Sequence, residues 1–175
     1  MNIPTILTLF RIALIPVLVL VFYSPLVFAS YYSAGIFIFA SITDWLDGYL
    51  ARKLKQETSL GAFLDPVADK LIVAVALLLL VESNANIYFT IPAAIIIFRE
   101  IFISALREWM ASTGKRAALL VNNLGKIKTV TQMVAITLFL ANLFSILAFC
   151  VLYVAAGLSI ISMLVYIRAA YKVSC

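Results

Sequence analysis

Six long apolar stretches alternate with short polar segments along the chain, and this pattern predicts its architecture. A run of about 20 apolar residues is long enough to cross a bilayer as a helix. Such windows cover residues 6–29, 33–52, 61–81, 87–107, 124–142 and 146–167. The pattern therefore predicts an all-α integral membrane protein with six transmembrane helices. Because these windows leave no room for a soluble domain, we expect residues 1–175 to form a single transmembrane domain.

The N-terminal segment allows two interpretations. Residues 1–10 carry no charged side chain and include Pro4, which predicts a short interfacial segment before the first span. Residues 27–29 loosely resemble the cleavage site of a signal peptide. However, a signal peptide has a basic N-terminal region and a shorter apolar core, whereas this apolar run continues well past Arg11. We expect the first span to be retained.

Composition and charge support a membrane protein and argue against a nucleic-acid partner. The chain is 65% hydrophobic and only 12% charged, which lies outside the usual range of soluble domains. Its net charge of +5 comes from basic residues that cluster after spans two, four and six: Arg52, Lys53, Lys55, Arg107, Lys115, Arg116, Lys126, Lys128, Arg168 and Lys172. The alternate loops contain only Glu82 as a charge. The positive-inside rule places both termini and the second and fourth loops in the cytoplasm, where basic residues also suit anionic headgroups.

The chemistry available to the chain is limited by its residue types. It has no histidine, and its two cysteines, Cys150 and Cys175, have no metal-ligand spacing. Zinc sites of the usual kind are therefore not expected. Acid–base chemistry would have to use carboxylates or lysines.

Four aspartates lie where spans two and three approach one another. Asp44 and Asp47 are three residues apart, and Asp65 and Asp69 are four apart, so each pair shares one helical face. The connection at residues 53–60 is short, which makes the two spans antiparallel neighbours. We therefore expect the four carboxylates to converge near the cytoplasmic boundary of the membrane.

Four carboxylates in such a place need compensating positive charge. Ordinary solvated helix ends are one interpretation, but an ionised Asp within a bilayer costs about 2.5 to 3.5 kcal/mol at the helix centre. Two divalent cations would balance four carboxylates, and oxygen-only ligands favour magnesium or manganese. Such a pair of ions is suited to in-line displacement at phosphorus. A divalent-cation channel is the competing hypothesis, but it would need acidic groups in the outer half as well, where only Glu82 occurs.

Small residues and one proline accompany the aspartates. Gly48 would let a bulky ligand approach the backbone, and Ala51 and Gly61 are small on the faces of Asp47 and Asp65. The same small residues would also allow close helix packing. Pro66 either kinks the third span or starts a helix that Asp65 caps.

The pattern Asp-x2-Asp-Gly-x2-Ala-Arg-x8-Gly-x3-Asp-x3-Asp, which runs here from Asp44 to Asp69, resembles the signature of the CDP-alcohol phosphotransferase family. The resemblance extends to residues 2–11, 99–109 and 125–129, where the chain is similar to bacterial members that use sn-glycerol 3-phosphate. It therefore covers nearly the whole sequence.

The resemblance implies a role for each matching residue. Asp44, Asp47, Asp65 and Asp69 would bind two Mg²⁺ or Mn²⁺ ions, and Asp69 would also be the general base. Gly48, Ala51, Arg52 and Gly61 would form the site for the CDP-lipid. Thr8 and Arg11 are possible additional site residues.

Basic residues of spans four and five are candidates for binding the acceptor. Arg99 and Arg107 lie about 80° apart around their helix, and Lys126 opens the fifth span, so the three would bind the acceptor phosphate. Snorkelling to the interface or a topological role is the alternative for Arg107 and Lys126. Glu100 and Glu108 are candidate counter-ions for the arginines.

The implied activity is transfer of a phosphatidyl group from CDP-diacylglycerol to sn-glycerol 3-phosphate, which gives phosphatidylglycerophosphate and CMP. Inositol phosphate, serine or phosphatidylglycerol are the alternative acceptors within the family. The resemblance also implies a homodimer, surrounded by membrane lipids in the bacterial cytoplasmic membrane, with its active site facing the cytoplasm.

Overall fold

The computed structural model describes residues 3–54, 59–113, 123–143 and 145–174, and all regular structure among them is α-helical. The helices are α1 (Ile3–Phe22), α2 (Ala29–Leu54), α3 (Ser59–Asn84), α4 (Ile87–Ser112), α5 (Asn123–Leu140) and α6 (Ser145–Ser174). Side chains are described for residues 6–44, 61, 64–113, 125–143 and 145–171. The all-α prediction is confirmed, and each predicted span coincides largely with one helix.

The first helix differs from its prediction at both ends. Among the described residues no separate interfacial segment precedes it, because α1 is continuous from Ile3. Pro4 is tolerated there since the first N–H groups of a helix have no intrahelical acceptor. The predicted span also extends too far, because the helix ends at Phe22 and α2 begins at Ala29. Pro25 explains this end, since a residue that precedes proline avoids the helical conformation.

Pro66 lies inside α3, which begins at Ser59. The interpretation that Pro66 starts a helix capped by Asp65 is therefore wrong. The Lys70 ammonium group donates a hydrogen bond of 2.8 Å to the Pro66 carbonyl oxygen. The helix continues through the proline and carries Asp65 and Asp69 on successive turns.

The chain divides into two compact units. The first contains residues 1–83 and 137–145, and therefore α1, α2 and α3. Its core combines large side chains such as Leu18, Phe37 and Leu77 with fully buried Ala40 and Ala68. Small residues let helix backbones approach closely. This close packing places α1 beside the aspartates of the two other helices.

The second unit contains residues 84–136 and 146–175, and therefore α4, most of α5 and α6. Asn86 caps α4 by accepting a hydrogen bond from the Tyr88 N–H, and Phe89 packs edge-to-face on Phe149. Nearer the other end of α4, Ile103 and Met110 form a buried cluster with Tyr166 and Ala170 of α6. That cluster supports the polar groups described below.

Two of the described helices, α4 and residues 145–171 of α6, are long and apolar enough to cross a membrane. Residues 6–22 of α1 form a shorter apolar helix. Large hydrophobic side chains also face outward, and Leu20 and Ile146 are 73% and 84% exposed. Apolar surface on this scale is typical of proteins whose exterior contacts lipid.

Candidate active site

In the first unit, three helices meet at a buried arginine. One Arg11 guanidinium nitrogen, Nη1, donates to Asp44 of α2 at 3.0 Å and also to Asp69 of α3. The Arg11 side chain is only 1% exposed, whereas the two carboxylates are 35% and 39% exposed. The arginine therefore closes the inner side of the site, and the carboxylates keep an open side.

Thr8 joins the third carboxylate to the same helix. It lies one turn before Arg11, is fully buried, and its hydroxyl donates to an Asp65 carboxylate oxygen. Gly61, one turn before Asp65 on α3, is also buried. Arg11 thus brings Asp44 and Asp69 together, and Thr8, one turn earlier on α1, contacts Asp65.

Four other predicted site residues lie on α2 with side chains outside the described residues: Asp47, Gly48, Ala51 and Arg52. Their proposed roles as a metal ligand and as the CDP-lipid site stay predictions. Within the described part of the chain, no three acidic, histidine or cysteine residues have the spacing of a metal site.

The residues present nevertheless suit a hard divalent cation. Asp44, Asp65 and Asp69 supply only carboxylate oxygens, which are the donors that magnesium and manganese prefer. Two of these carboxylates already share the positive charge of Arg11. Asp44 of α2 and Asp69 of α3 thus share one cationic side chain, and the metal site stays a prediction.

A second polar cluster lies in the other unit, on α4, α5 and α6. Arg99 is 8% exposed and donates to the Ser162 hydroxyl at 2.6 Å, while its Nη1 lies 3.4 Å from a Glu100 carboxylate oxygen. The same Glu100 oxygen pairs with Lys128, which is 1% exposed. The Arg99 Nε is buried and has no hydrogen-bond partner in the part of the chain that the structure describes. One carboxylate thus holds two buried cations.

Arg107 joins this cluster through Tyr166. The carbon atoms at the centres of the Arg99 and Arg107 guanidinium groups lie 5.9 Å and 5.4 Å from the centre of the Tyr166 ring, within the range of cation–π contacts. Arg107 also lies 3.5 Å from the Tyr166 hydroxyl. The predicted pair of arginines is therefore brought together around one aromatic ring.

Lys126 does not share this position. Its side chain is exposed, and two residues along a helix rotate the direction of a side chain by about 200°. Lys128, which the sequence analysis treated as a topology marker, is the lysine that pairs with Glu100. Ser162 and Tyr166 were also missed, and the available signal was two polar side chains four residues apart in the apolar α6.

Comparisons with known proteins agree with the motif. The family model described as CDP-alcohol phosphatidyltransferase matches residues 1–165. A relative from Pectobacterium atrosepticum is 54% identical over 97% of this chain and 94% of its own length. Relatives from Salmonella choleraesuis and Pseudomonas fluorescens are 54% and 50% identical, over 97% and 98% of this chain and 94% and 91% of theirs.

All three relatives bear the name CDP-diacylglycerol–glycerol-3-phosphate 3-phosphatidyltransferase. The family model covers the aspartate motif and extends into the sixth helix. Together with the apolar helices, it identifies a membrane protein. The family inferred from the aspartate pattern is confirmed, and the chain belongs to the CDP-alcohol phosphatidyltransferase family.

Proposed function

We propose that this protein is a membrane enzyme that transfers the phosphatidyl group of CDP-diacylglycerol to sn-glycerol 3-phosphate, giving phosphatidylglycerophosphate and CMP. The observation that carries the proposal is that α1 contacts three aspartates of the motif: buried Arg11 pairs with Asp44 and Asp69, and buried Thr8 donates a hydrogen bond to Asp65. It occurs in a chain about half identical to relatives named for this reaction.

The aspartates form the donor side of the proposed site. Asp44, Asp47, Asp65 and Asp69 would hold two Mg²⁺ or Mn²⁺ ions, in keeping with the general use of divalent metals in this family. When bound, the ions would supply positive charge to the diphosphate of the lipid donor and to the departing CMP. Gly48, Ala51, Arg52 and Gly61 would receive the CDP moiety, with Arg52 available for its phosphates.

Asp69 is the group we assign to proton transfer. It accepts the proton of the acceptor hydroxyl as that oxygen bonds to the phosphorus attached to diacylglycerol, and the bond from this phosphorus to the oxygen of CMP breaks. Its carboxylate is partly exposed, so an acceptor can reach it. Thr8 and Arg11 hold Asp65 and Asp69 in place from the buried side.

The second cluster has the chemistry of a phosphate site. Arg99 and Lys128 share one carboxylate, Glu100, and Arg107 contacts Tyr166, so cationic groups outnumber carboxylates in these described contacts. A phosphate monoester dianion would neutralise that excess, and arginines bind phosphate through forked hydrogen bonds. This favours a phosphorylated acceptor over serine. Glycerol 3-phosphate, rather than inositol phosphate, is the acceptor in the names of the relatives.

We further propose that all six helices cross the bacterial cytoplasmic membrane as one domain, with both termini and the active site in the cytoplasm. Outward apolar side chains on both units and the alternation of basic loops support this topology. A homodimer is proposed from the family resemblance alone.

An acceptor panel tests the proposed reaction. Purified protein in detergent would be mixed with CDP-diacylglycerol, Mg²⁺ or Mn²⁺, and separately glycerol 3-phosphate, inositol phosphate, serine or phosphatidylglycerol, while CMP release is followed. We expect release with glycerol 3-phosphate and none in chelator. Turnover with a different acceptor would replace the proposed substrate, and full activity in chelator would contradict the metal role.

A further inference from the structure

Tyr166 of α6 is a buried residue that contacts both an apolar cluster and two arginines. It is 7% exposed and packs with Ile103, Met110 and Ala170. An apolar side chain would satisfy that packing. Yet the ring lies within 6 Å of the centres of two guanidinium groups, and its hydroxyl lies 3.5 Å from an Arg107 nitrogen. The ring therefore has partners that an aliphatic residue would not serve.

The two arginines need such a partner because like charges in a poorly solvated site repel strongly. The face of an aromatic ring carries partial negative charge and attracts both cations. Ser162 and Glu100 fix the terminal nitrogens of Arg99, while its buried Nε has no hydrogen-bond partner among the described residues. An ordered guanidinium group with an N–H donor that has no acceptor is suited to binding an anionic ligand.

We propose that Tyr166 is a positioning residue that holds Arg99 and Arg107 at the spacing of the acceptor phosphate, and so sets the preference for a phosphorylated acceptor. This inference rests on the proposed function and deepens it. Tyr166 acts through the arginines and takes no part in the bond changes. Its loss therefore affects acceptor binding while the reaction at the aspartates proceeds.

The test compares steady-state kinetics of Tyr166→Leu, Tyr166→Phe and the parent, with the concentrations of both substrates varied. Losing a desolvated cation–π partner is expected to raise the KM for glycerol 3-phosphate about tenfold in Tyr166→Leu. The KM for CDP-diacylglycerol and kcat should stay at parental values. Tyr166→Phe keeps the ring and should remain within about threefold of the parent. If Tyr166→Leu does not fold, Tyr166→Met replaces it as the variant without a ring.

Two controls separate positioning from packing. Tyr171→Leu changes an exposed tyrosine on the same helix and should behave like the parent. In an Arg107→Ala background, Tyr166→Leu should have a much smaller effect than it has alone, because the two residues act through one contact. Fully additive effects, or a Phe variant as defective as the Leu variant, would overturn the positioning role.

The outcomes also distinguish a failure of this inference from a failure of the proposed function. In one outcome, Tyr166→Leu has the parental KM for the acceptor, while Arg99→Ala and Arg107→Ala have a raised KM. This result would contradict the positioning role of Tyr166 and would still support the proposed acceptor site. A parental KM in all three variants would show that the acceptor phosphate binds elsewhere.

Discussion

At the scale of single residues, chemically similar side chains have different surroundings because helix rotation separates them. Lys126 is exposed, whereas Lys128 is buried against Glu100. Arg99 and Arg107 are eight positions apart and still meet at one ring. Residue type and loop position alone therefore identify both arginines of this cluster but not its buried lysine, Lys128.

The two lysines provide a matched pair of variants. Lys128→Met is expected to raise the KM for glycerol 3-phosphate by about tenfold or more, since a charge-assisted contact contributes about 1.5 to 3 kcal/mol. Lys126→Met should leave it unchanged. Steady-state kinetics with varied acceptor checks both. A raised KM in Lys126→Met but not in Lys128→Met would instead indicate that Lys126 binds the phosphate.

Metal titrations distinguish the roles of two aspartates on successive turns of α3. Asp65→Asn should weaken metal affinity, so that high Mg²⁺ restores part of the rate. Asp69→Asn should lose turnover at every metal concentration, because it also removes the base. Recovery of Asp69→Asn but not of Asp65→Asn by high metal would reverse the two assignments.

Arg11 and a divalent cation are expected to neutralise the same carboxylates. Arg11→Met should therefore lower stability in chelator by about 1 to 3 kcal/mol, below the cost for a fully buried pair because both carboxylates are partly exposed. Added Mg²⁺ should raise the unfolding temperature more in this variant than in the parent. Arg168→Met, at an exposed arginine of α6, is the control. Equal Mg²⁺ shifts in Arg11→Met and the parent would contradict the shared role.

At the scale of helices, apolar windows predicted every element, because runs of about 20 apolar residues leave few alternatives in a membrane protein. The errors occurred at prolines. Pro25 ended α1 before its apolar run ended, whereas Pro4 and Pro66 were accommodated within helices. Hydropathy does not detect these differences, because they depend on whether the N–H group that proline lacks would have donated a hydrogen bond within the helix.

The packing of α4 on α6 can be tested away from the charges. Met110 is fully buried beside Tyr166, and Met110→Ala should destabilise the protein by about 2 kcal/mol, the lower end of the range for such truncations because lipid is also apolar. Ile101→Ala removes a side chain that is 61% exposed on the same helix and should have little effect. Thermal unfolding in detergent measures both. Equal destabilisation by the two variants would contradict this packing.

At the scale of the whole molecule, the two clusters differ in how far the sequence reveals them. The aspartate motif occupies one short stretch with fixed spacing, so the approach of Asp44 to Asp69 could be predicted from the sequence. The second polar cluster contains Arg99 and Arg107 from α4, Lys128 from α5, and Ser162 and Tyr166 from α6. Contacts between distant helices depend on tertiary packing, which no local pattern encodes.

The most direct test of the account is the fate of doubly labelled glycerol 3-phosphate, with ³²P in its phosphate and ³H in its glycerol. Purified protein, CDP-diacylglycerol and Mg²⁺ should move both labels into the lipid phase at their original ratio, with one CMP released for each. The reason is that the acceptor hydroxyl attacks while the acceptor phosphate is retained. Asp69→Asn should move neither label. CMP release that leaves both labels in water, or transfer of ³H without ³²P, would contradict the proposed reaction.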